Sequence, residues 1–538
     1  MLSPPKELRD RISQLIFPRL GSNMNPTISV EDDAARIEQL LDHYPIGGLC
    51  LFNGDRIRTP QTLTRLQSRS KFPLLIGTDM ERGLGQQLRG ATVFPHAMAF
   101  QATAEEDEHL LEESARAAAR EALAAGLHIS FSPVADVNSN PRNPIISTRA
   151  YGSTPQTVSR LLKAYLRGSN GEGLFTTAKH FPGHGDTDVD SHETLPVVSK
   201  SRVDMEALEL VPFREAINAG VSLIMTAHVS YPGLDRTGVE ATRSKPILTD
   251  LLRQDMGFKG VVISDSLLMA GADHEGEHPG EMAATLLRAG VDILLDIKDV
   301  PLTVDYLVDL VNRGELDRKV VDAALERVWS LKTRFSARFG PSAFIDPSLA
   351  QPFSVLGADA HRALAAKIAE KSIQVAIGKP EDLVLKKAGL GQYGTACVLV
   401  RPHTTYNDPT AAPLEKAFLG AFSDGAFFQV LPDTQDDQLE DLLEQLGHFA
   451  NVIVAVVVKP AAWHKFGLLP SQAAFVRDAS TRYPIFLIAL GSPIVLADFE
   501  HIKVGICAYS DVEPTMLALV KVLKSFEANG TPAMILKP

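Results

Sequence analysis

Between Ala178 and Leu195 the chain reads AKHFPGHGDTDVDSHETL. These eighteen residues hold Lys179, three histidines (His180, His184, His192), three aspartates (Asp186, Asp188, Asp190) and Glu193, with almost no aliphatic side chain to build a core. Three chemistries can use such a set. The histidines and aspartates are metal-ligand types, but a His-xxx-His spacing serves a metal when a helix carries it, and Pro182 with Gly183 breaks that helix. Phosphate binding is opposed by the acidic balance and by the absence of a GxxxxGK[ST] loop. Acid–base catalysis needs a histidine oriented by a carboxylate, and Asp190-Ser191-His192 supplies that pair. The carboxylate stabilises imidazolium, raises its pKa and fixes the ring. The third chemistry fits best.

The elements that must hold these groups can be read from hydrophobic patterning. The run Leu174–Ala178 is predicted to be a short buried strand, and Pro182, Gly183 and Gly185 predict a loop directly after it. Seven further apolar runs lie at Ile16–Leu20, Ile46–Phe52, Leu74–Thr78, Ile129–Val134, Leu223–Thr226, Val261–Ser264 and Ile293–Leu295. Amphipathic stretches such as Glu105–Ala125, Pro155–Arg167, Asp204–Ala219 and Glu281–Ala289 separate most of them. Continuous apolar strands alternating with helices imply parallel pairing, and eight in about 300 residues fit a (β/α)8 barrel. Polar groups repeatedly stand at or just past the strand ends: Asp79, Asp136, Lys179-His180, His228, Asp265 and Asp296. In a barrel those ends share one rim, so these residues are expected to converge.

A helix over Asp317–Phe335 would close the barrel, giving a catalytic domain over 1–340. Residues 341–357, with Pro, Gly and Ser and no periodicity, read as a linker. From 358 to 538, a helix at His361–Lys371 and strands at Ile373–Ile377, Cys397–Val400, Val452–Val458, Ile485–Leu490 and Val504–Ala508 predict a smaller α/β sandwich with a mostly parallel sheet. Neither a GxGxxG nor a P-loop occurs in it.

Bulk properties bound the function. The 538 residues exceed what one core usually sustains, and 45% hydrophobic with 22% charged is ordinary for a globular enzyme. A net charge of −12 argues against nucleic acid as a partner. Cys50, Cys397 and Cys507 lie far apart in apolar runs and read as buried small hydrophobes. No run of about eighteen apolar residues suggests a membrane span, and the charged first twenty residues suggest no signal segment, so a cytoplasmic monomer or homodimer is expected.

KHFPGHGDTDVDSH resembles the signature of bacterial β-N-acetylglucosaminidases of glycoside hydrolase family 3. GVVISDSLLM, STRAYG and, more loosely, GTDMERGLGQQLRG are similar to further segments of that family, and ALGSPIVLADF resembles its second domain. The resemblance implies a retaining exo-β-N-acetylglucosaminidase with Asp265 as nucleophile and His192, paired with Asp190, as general acid/base. It implies that Lys179, His180, Asp79 and Arg149 hold the sugar, and that no metal or cofactor takes part. In the Asp79 segment the common form is DQEGGRV, and Arg82 stands where its first glycine is usual. Related enzymes of this branch resemble phosphorylases, and the sequence does not choose between water and phosphate. A metal-dependent hydrolase and a silent sugar-binding protein stand as readings from other classes. His228 and Asp296 receive no role here.

Overall fold

The computed structural model describes residues 2–103, 105–187, 195–272, 276–379, 382–403, 411–461 and 464–526. All eight predicted barrel runs form strands. Pro18, which has no N–H to give to a ladder, splits the first into Ile16–Phe17 and Arg19–Leu20. The two pieces face opposite neighbours: Ile16 is in register with Leu294, and Arg19 with Cys50. From there parallel pairing runs through Gly48–Leu51, Leu75–Thr78, Ile129–Ser130, Phe175–Phe181, Leu223–Thr226 and Val261–Ile263. A parallel bridge from Ile263 to Ile293 joins the last of these to Leu294–Leu295 and closes the ring. The strands read as unbroken apolar runs because helices cover them from outside and side chains fill the inside.

The outer helices begin and end where local chemistry dictates. Thr154 caps Pro155–Glu172 by accepting from Thr157 N–H, Pro155 sits in its first turn, and Gly173 ends it at φ +94°. Asp317 caps the 22-residue helix Arg318–Phe339, which ends at Gly340 rather than at the predicted Phe335. Residues 341–355 form three short 3-10 turns, with Ala343 and Phe344 buried.

Contacts divide the chain into two compact units: Met1–Thr92, Glu108–Ile146 and Ala150–His361 in the first, and Val93–Asp107, Ser147–Arg149 and Arg362–Pro538 in the second. The second unit is an α/β sandwich on a six-stranded sheet. In spatial order its strands are Gln374–Ile377, Val504–Cys507, Ile485–Ala489, Phe449–Val456, Tyr393–Val400 and Ala426–Val430. All pair in parallel except Gln374–Ile377, which runs antiparallel to Val504–Cys507. Alternation along Tyr393–Val400 sends Ala396, Val398 and Val400 to one core and Cys397 and Leu399 to the other. Helices Asp436–Leu446 and Pro470–Arg482 cover the first face, and Asp359–Ser372, Ala412–Ala421 and Glu513–Ser525 the second. The strand Ala426–Val430 was not foreseen: it is an edge strand with one fully buried residue, so it lacks a continuous apolar run. The early segment Val93–Asp107 supplies helix Ala97–Ala102, whose Met98, Ala99 and Ala102 lie in the first of these cores.

Candidate active site

The barrel strand at the centre of the site is longer than its apolar run. Lys179, His180 and Phe181 continue Phe175–Phe181 instead of opening a loop, with a register irregularity between Ala178 and Phe181. Lys179 forms a bridge to Val134, and Phe181 pairs with Thr226. The charged groups are tolerated in a strand because each finds a partner at the barrel mouth. Both the Lys179–His180 and the Phe181–Pro182 peptide bonds are cis.

Lys179 is 2% exposed, and its Nζ lies 2.6 Å from Asp79 Oδ1 and 2.7 Å from Glu81 Oε1. Two carboxylates on one buried ammonium offset its desolvation, and Asp79 is the more open of them. The Asp79–Lys179 pair thus presents an acceptor and a donor to anything entering the mouth.

His180 is held from behind. Asp136, fully buried, accepts His180 Nδ1–H at 2.7 Å, the backbone N–H of His180 at 3.2 Å and that of His184 at 2.7 Å. A carboxylate only accepts, so Nδ1 carries the hydrogen and Nε2 is directed to the other side, 3.9 Å from Asp265 Oδ2. Asp136, His180 and Asp265 therefore lie in a line from a buried anchor to an accessible carboxylate.

Asp265 comes just after Val261–Ile263 and is about 21% exposed at the side chain. Burial pushes its carboxyl upward, but His180, His228 and Lys179, with the Ser266 N–H donating to Oδ1 at 2.7 Å, hold it below its ordinary value. It is ionised at neutral pH. His228 has the opposite fate: burial keeps its imidazole below the usual value, partly opposed by Asp265 and Glu240. Its Nε2 donates to the Ser266 carbonyl at 3.2 Å, and its Nδ1 lies 2.9 Å from Thr242 Oγ1. Asp296 receives Arg19 Nε at 3.0 Å and Ser266 Oγ–H at 2.7 Å.

The start of the histidine loop is docked on the loop after the Ile129–Ser130 strand. Asn143 Nδ2 donates to the His184 carbonyl at 2.9 Å, Asn140 N–H to the Gly185 carbonyl at 3.2 Å, and Tyr231 O–H to the Gly183 carbonyl at 2.8 Å. Lys200 joins Asp186 and buried Glu209.

Of the sequence-predicted site residues, Asp79, Lys179, His180 and Asp265 meet at the mouth of the ring. Asp190 and His192 lie outside the described residues. Arg149 ends the 3-10 turn Ser147–Arg149, which packs with helix Ala97–Ala102 in the second unit. Among the described residues no three His, Cys, Asp or Glu side chains gather as metal ligands would. Sequence reasoning missed Glu81, Ser266 and Arg19, and gave no role to Asp136, His228 or Asp296. His228 and Asp296 stand just past strand ends and Asp136 just past the predicted run Ile129–Val134, which is the signal that marks them.

Comparison with known proteins bears on the family and the fold. The chain is 34% identical over 368 residues to beta-hexosaminidase A of Pseudoalteromonas piscicida, covering 63% of the chain and 60% of that protein. It is 31% identical over 370 residues to a beta-N-acetylglucosaminidase/beta-glucosidase of Cellulomonas fimi, covering 67% and 64%. It thus spans less than two thirds of the length of either relative. A solved glycoside hydrolase family 3 beta-N-acetylglucosaminidase from Paenibacillus sp. str. FPU-7 superposes with a TM-score of 0.83 at 27% identity, over 97% of this chain and 98% of that one. A beta-glucoside phosphorylase superposes at 0.80 and 23% identity, a likeness of fold. With residues 7–331 matching the model for the glycosyl hydrolase family 3 N-terminal domain, the chain belongs to glycoside hydrolase family 3.

Proposed function

We propose that the protein is a retaining exo-β-N-acetylglucosaminidase that releases terminal β-linked GlcNAc through a covalent ester on Asp265. The observation that carries this reading is the state of Asp265: an accessible strand-end carboxylate, held below its ordinary value by His180, His228, Lys179 and the Ser266 N–H, with His180 Nε2 3.9 Å from one oxygen. Retention requires a carboxylate that attacks the anomeric carbon while a proton donor serves the leaving oxygen. The Asp265 oxygen bonds to that carbon, the glycosidic bond breaks, and the leaving alkoxide takes a proton from His192, paired with Asp190. Water, deprotonated by the neutral imidazole, then cleaves the ester and frees Asp265. Asp79, Lys179 and His180 take the sugar hydroxyls. The relatives named beta-hexosaminidase and beta-N-acetylglucosaminidase support GlcNAc as the sugar. The natural substrates are small soluble GlcNAc oligosaccharides or muropeptide fragments, met in the cytoplasm. Three buried, unbridged cysteines support a reducing compartment.

A time course on p-nitrophenyl-GlcNAc and p-nitrophenyl-glucose, each with and without phosphate, tests this. Free GlcNAc of retained configuration, at a rate indifferent to phosphate, is expected. A sugar phosphate as product makes the enzyme a phosphorylase, faster turnover of glucoside overturns the sugar assignment, and activity lost to chelators and restored by zinc overturns the mechanism.

A further inference from the structure

The ring of strands closes where the first strand meets the last, and the side chains at that seam do not end there. Asp296 sits directly after Leu294–Leu295 at φ +59°, in the left-handed region that aspartate adopts more readily than most residues other than glycine. It is 2% exposed. Its backbone N–H donates to the Phe17 carbonyl at 2.8 Å, fixing it to the first strand. Its carboxylate takes Arg19 Nε at 3.1 and 3.0 Å on its two oxygens, and Arg19 Nη2 binds it as well. The same carboxylate then accepts Ser266 Oγ–H at 2.7 Å. Ser266 N–H donates to Asp265 Oδ1 at 2.7 Å.

We propose that Arg19, Asp296 and Ser266 form a positioning relay that aims Asp265 at the anomeric carbon, so that closure of the barrel seam fixes the nucleophile. This rests on the reading of Asp265 as nucleophile. The relay acts in one direction along the chain of bonds. Arg19 holds both oxygens of Asp296, Asp296 anchors the Ser266 hydroxyl while His228 Nε2 and Met269 N–H hold the Ser266 carbonyl, and the Ser266 N–H fixes one Asp265 oxygen. The Asp265 Oδ2 atom, which faces His180 Nε2 at 3.9 Å, is the oxygen offered to the substrate. A second tether, Leu267 N–H to the Leu295 carbonyl at 3.0 Å, joins the same two strand ends through the backbone, so removal of the hydroxyl alters aim rather than fold.

The test uses the full chain with Ser266→Ala, Asp296→Asn and the double variant. Each single change is expected to lower kcat on p-nitrophenyl-GlcNAc about 10- to 100-fold with KM little changed, because a misaimed reacting atom costs rate rather than affinity. Ester formation with a fluoro-sugar trap should slow in parallel while the label stays on Asp265. Ser266→Thr, which keeps the hydroxyl, should retain most of kcat. The double variant should lose no more than the worse single, since both cut one relay. Single variants with wild-type kcat and wild-type labelling rates, or a double loss equal to the product of the single losses, overturn the relay while Asp265 stands. Labelling of another carboxylate in the unaltered enzyme overturns the nucleophile assignment and the relay with it. If Asp296→Asn does not fold, Ser266→Ala decides alone, because it leaves the Arg19–Asp296 pair in place.

Discussion

At the scale of single residues, the ionisation of Asp265 leads to two expectations. Asp265→Asn should keep the fold and lose turnover on the order of 10³-fold or more, since an amide cannot form the ester. A trap in the unaltered enzyme should label the peptide that contains Asp265. The second expectation concerns pH. Burial raises the Asp265 carboxyl, while His180, His228, Lys179 and the Ser266 N–H together bring it below its ordinary value. The acid limb of kcat/KM should therefore lie below about 3.9, the usual aspartate value. Activity is present above that limb and lost as pH falls through it. His180→Gln removes the first of these lowering influences and should move the limb upward; a limb that stays in place would separate His180 from the ionisation of Asp265. The four rim residues were legible because a charged residue after an apolar strand is conspicuous in the sequence. Arg19 was not, because it stands 277 positions from Asp296 and its strand has only two residues, which leaves no local pattern to read.

At the scale of elements, the loop after Phe175–Phe181 is where sequence and structure differ. The apolar run ends at Ala178, yet the strand runs to Phe181, because Lys179 finds Asp79 and Glu81 and His180 finds the buried Asp136, partners that replace hydration. The first turn of the loop is tightly seated. A Cβ on Gly185 would lie 1.7 Å from the Val137 carbonyl oxygen. Gly185→Ala must therefore displace the loop, and activity should fall at least about tenfold while stability drops by about 1–3 kcal/mol, as overpacking typically costs. The loop's proposed acid, His192 with Asp190, can be examined by leaving group. General acid catalysis is typically worth on the order of 10²–10⁴-fold. His192→Ala should lose about that factor on GlcNAc disaccharides, whose alkoxide needs protonation, and much less on the first step with nitrophenyl substrates, whose phenolate is a far weaker base. Asp190→Ala should fall the same way but less far. Equal losses on both substrates would refute the acid/base role.

At the scale of the whole molecule, the two α/β halves were legible because periodicity distinguishes strand from helix along the entire chain. The ownership of residues 93–107 was not, since nothing in their own pattern says which sheet they will cover. Met98, Ala99 and Ala102 lie in the core of the second unit with Val454, Leu487 and Phe475. A chain cut after His361 would leave that apolar helix face without its sheet, and it is expected to aggregate or to melt well below the full chain. A truncated chain that melts at the full-length temperature would show that the segment needs no such core.

Acid stability offers a further whole-molecule expectation, centred on His128. This histidine is buried; its Nδ1 accepts the Ile76 N–H at 3.1 Å, and its ring packs against Phe335 and Phe344 at 4.6 and 5.1 Å between centroids. Burial, with some help from the nearby Lys332, lowers its pKa from 6.5 to about 3. The folded protein therefore keeps His128 neutral over a range where the unfolded chain protonates it. Stability from this site is fully present above about 6.5 and declines as pH falls from there toward about 3, where the folded form takes the proton too. Over that span the loss is on the order of a few kcal/mol, at about 1.4 kcal/mol for each pH unit. Other groups titrate in the same interval, so the variant carries the argument. In His128→Gln an amide oxygen can still accept the Ile76 N–H, but the side chain takes up no proton. The fall in melting temperature between pH 6.5 and 4 should be visibly shallower in that variant than in the unaltered protein. Equal slopes would mean that the folded barrel admits the charged imidazole and that His128 does not govern acid unfolding.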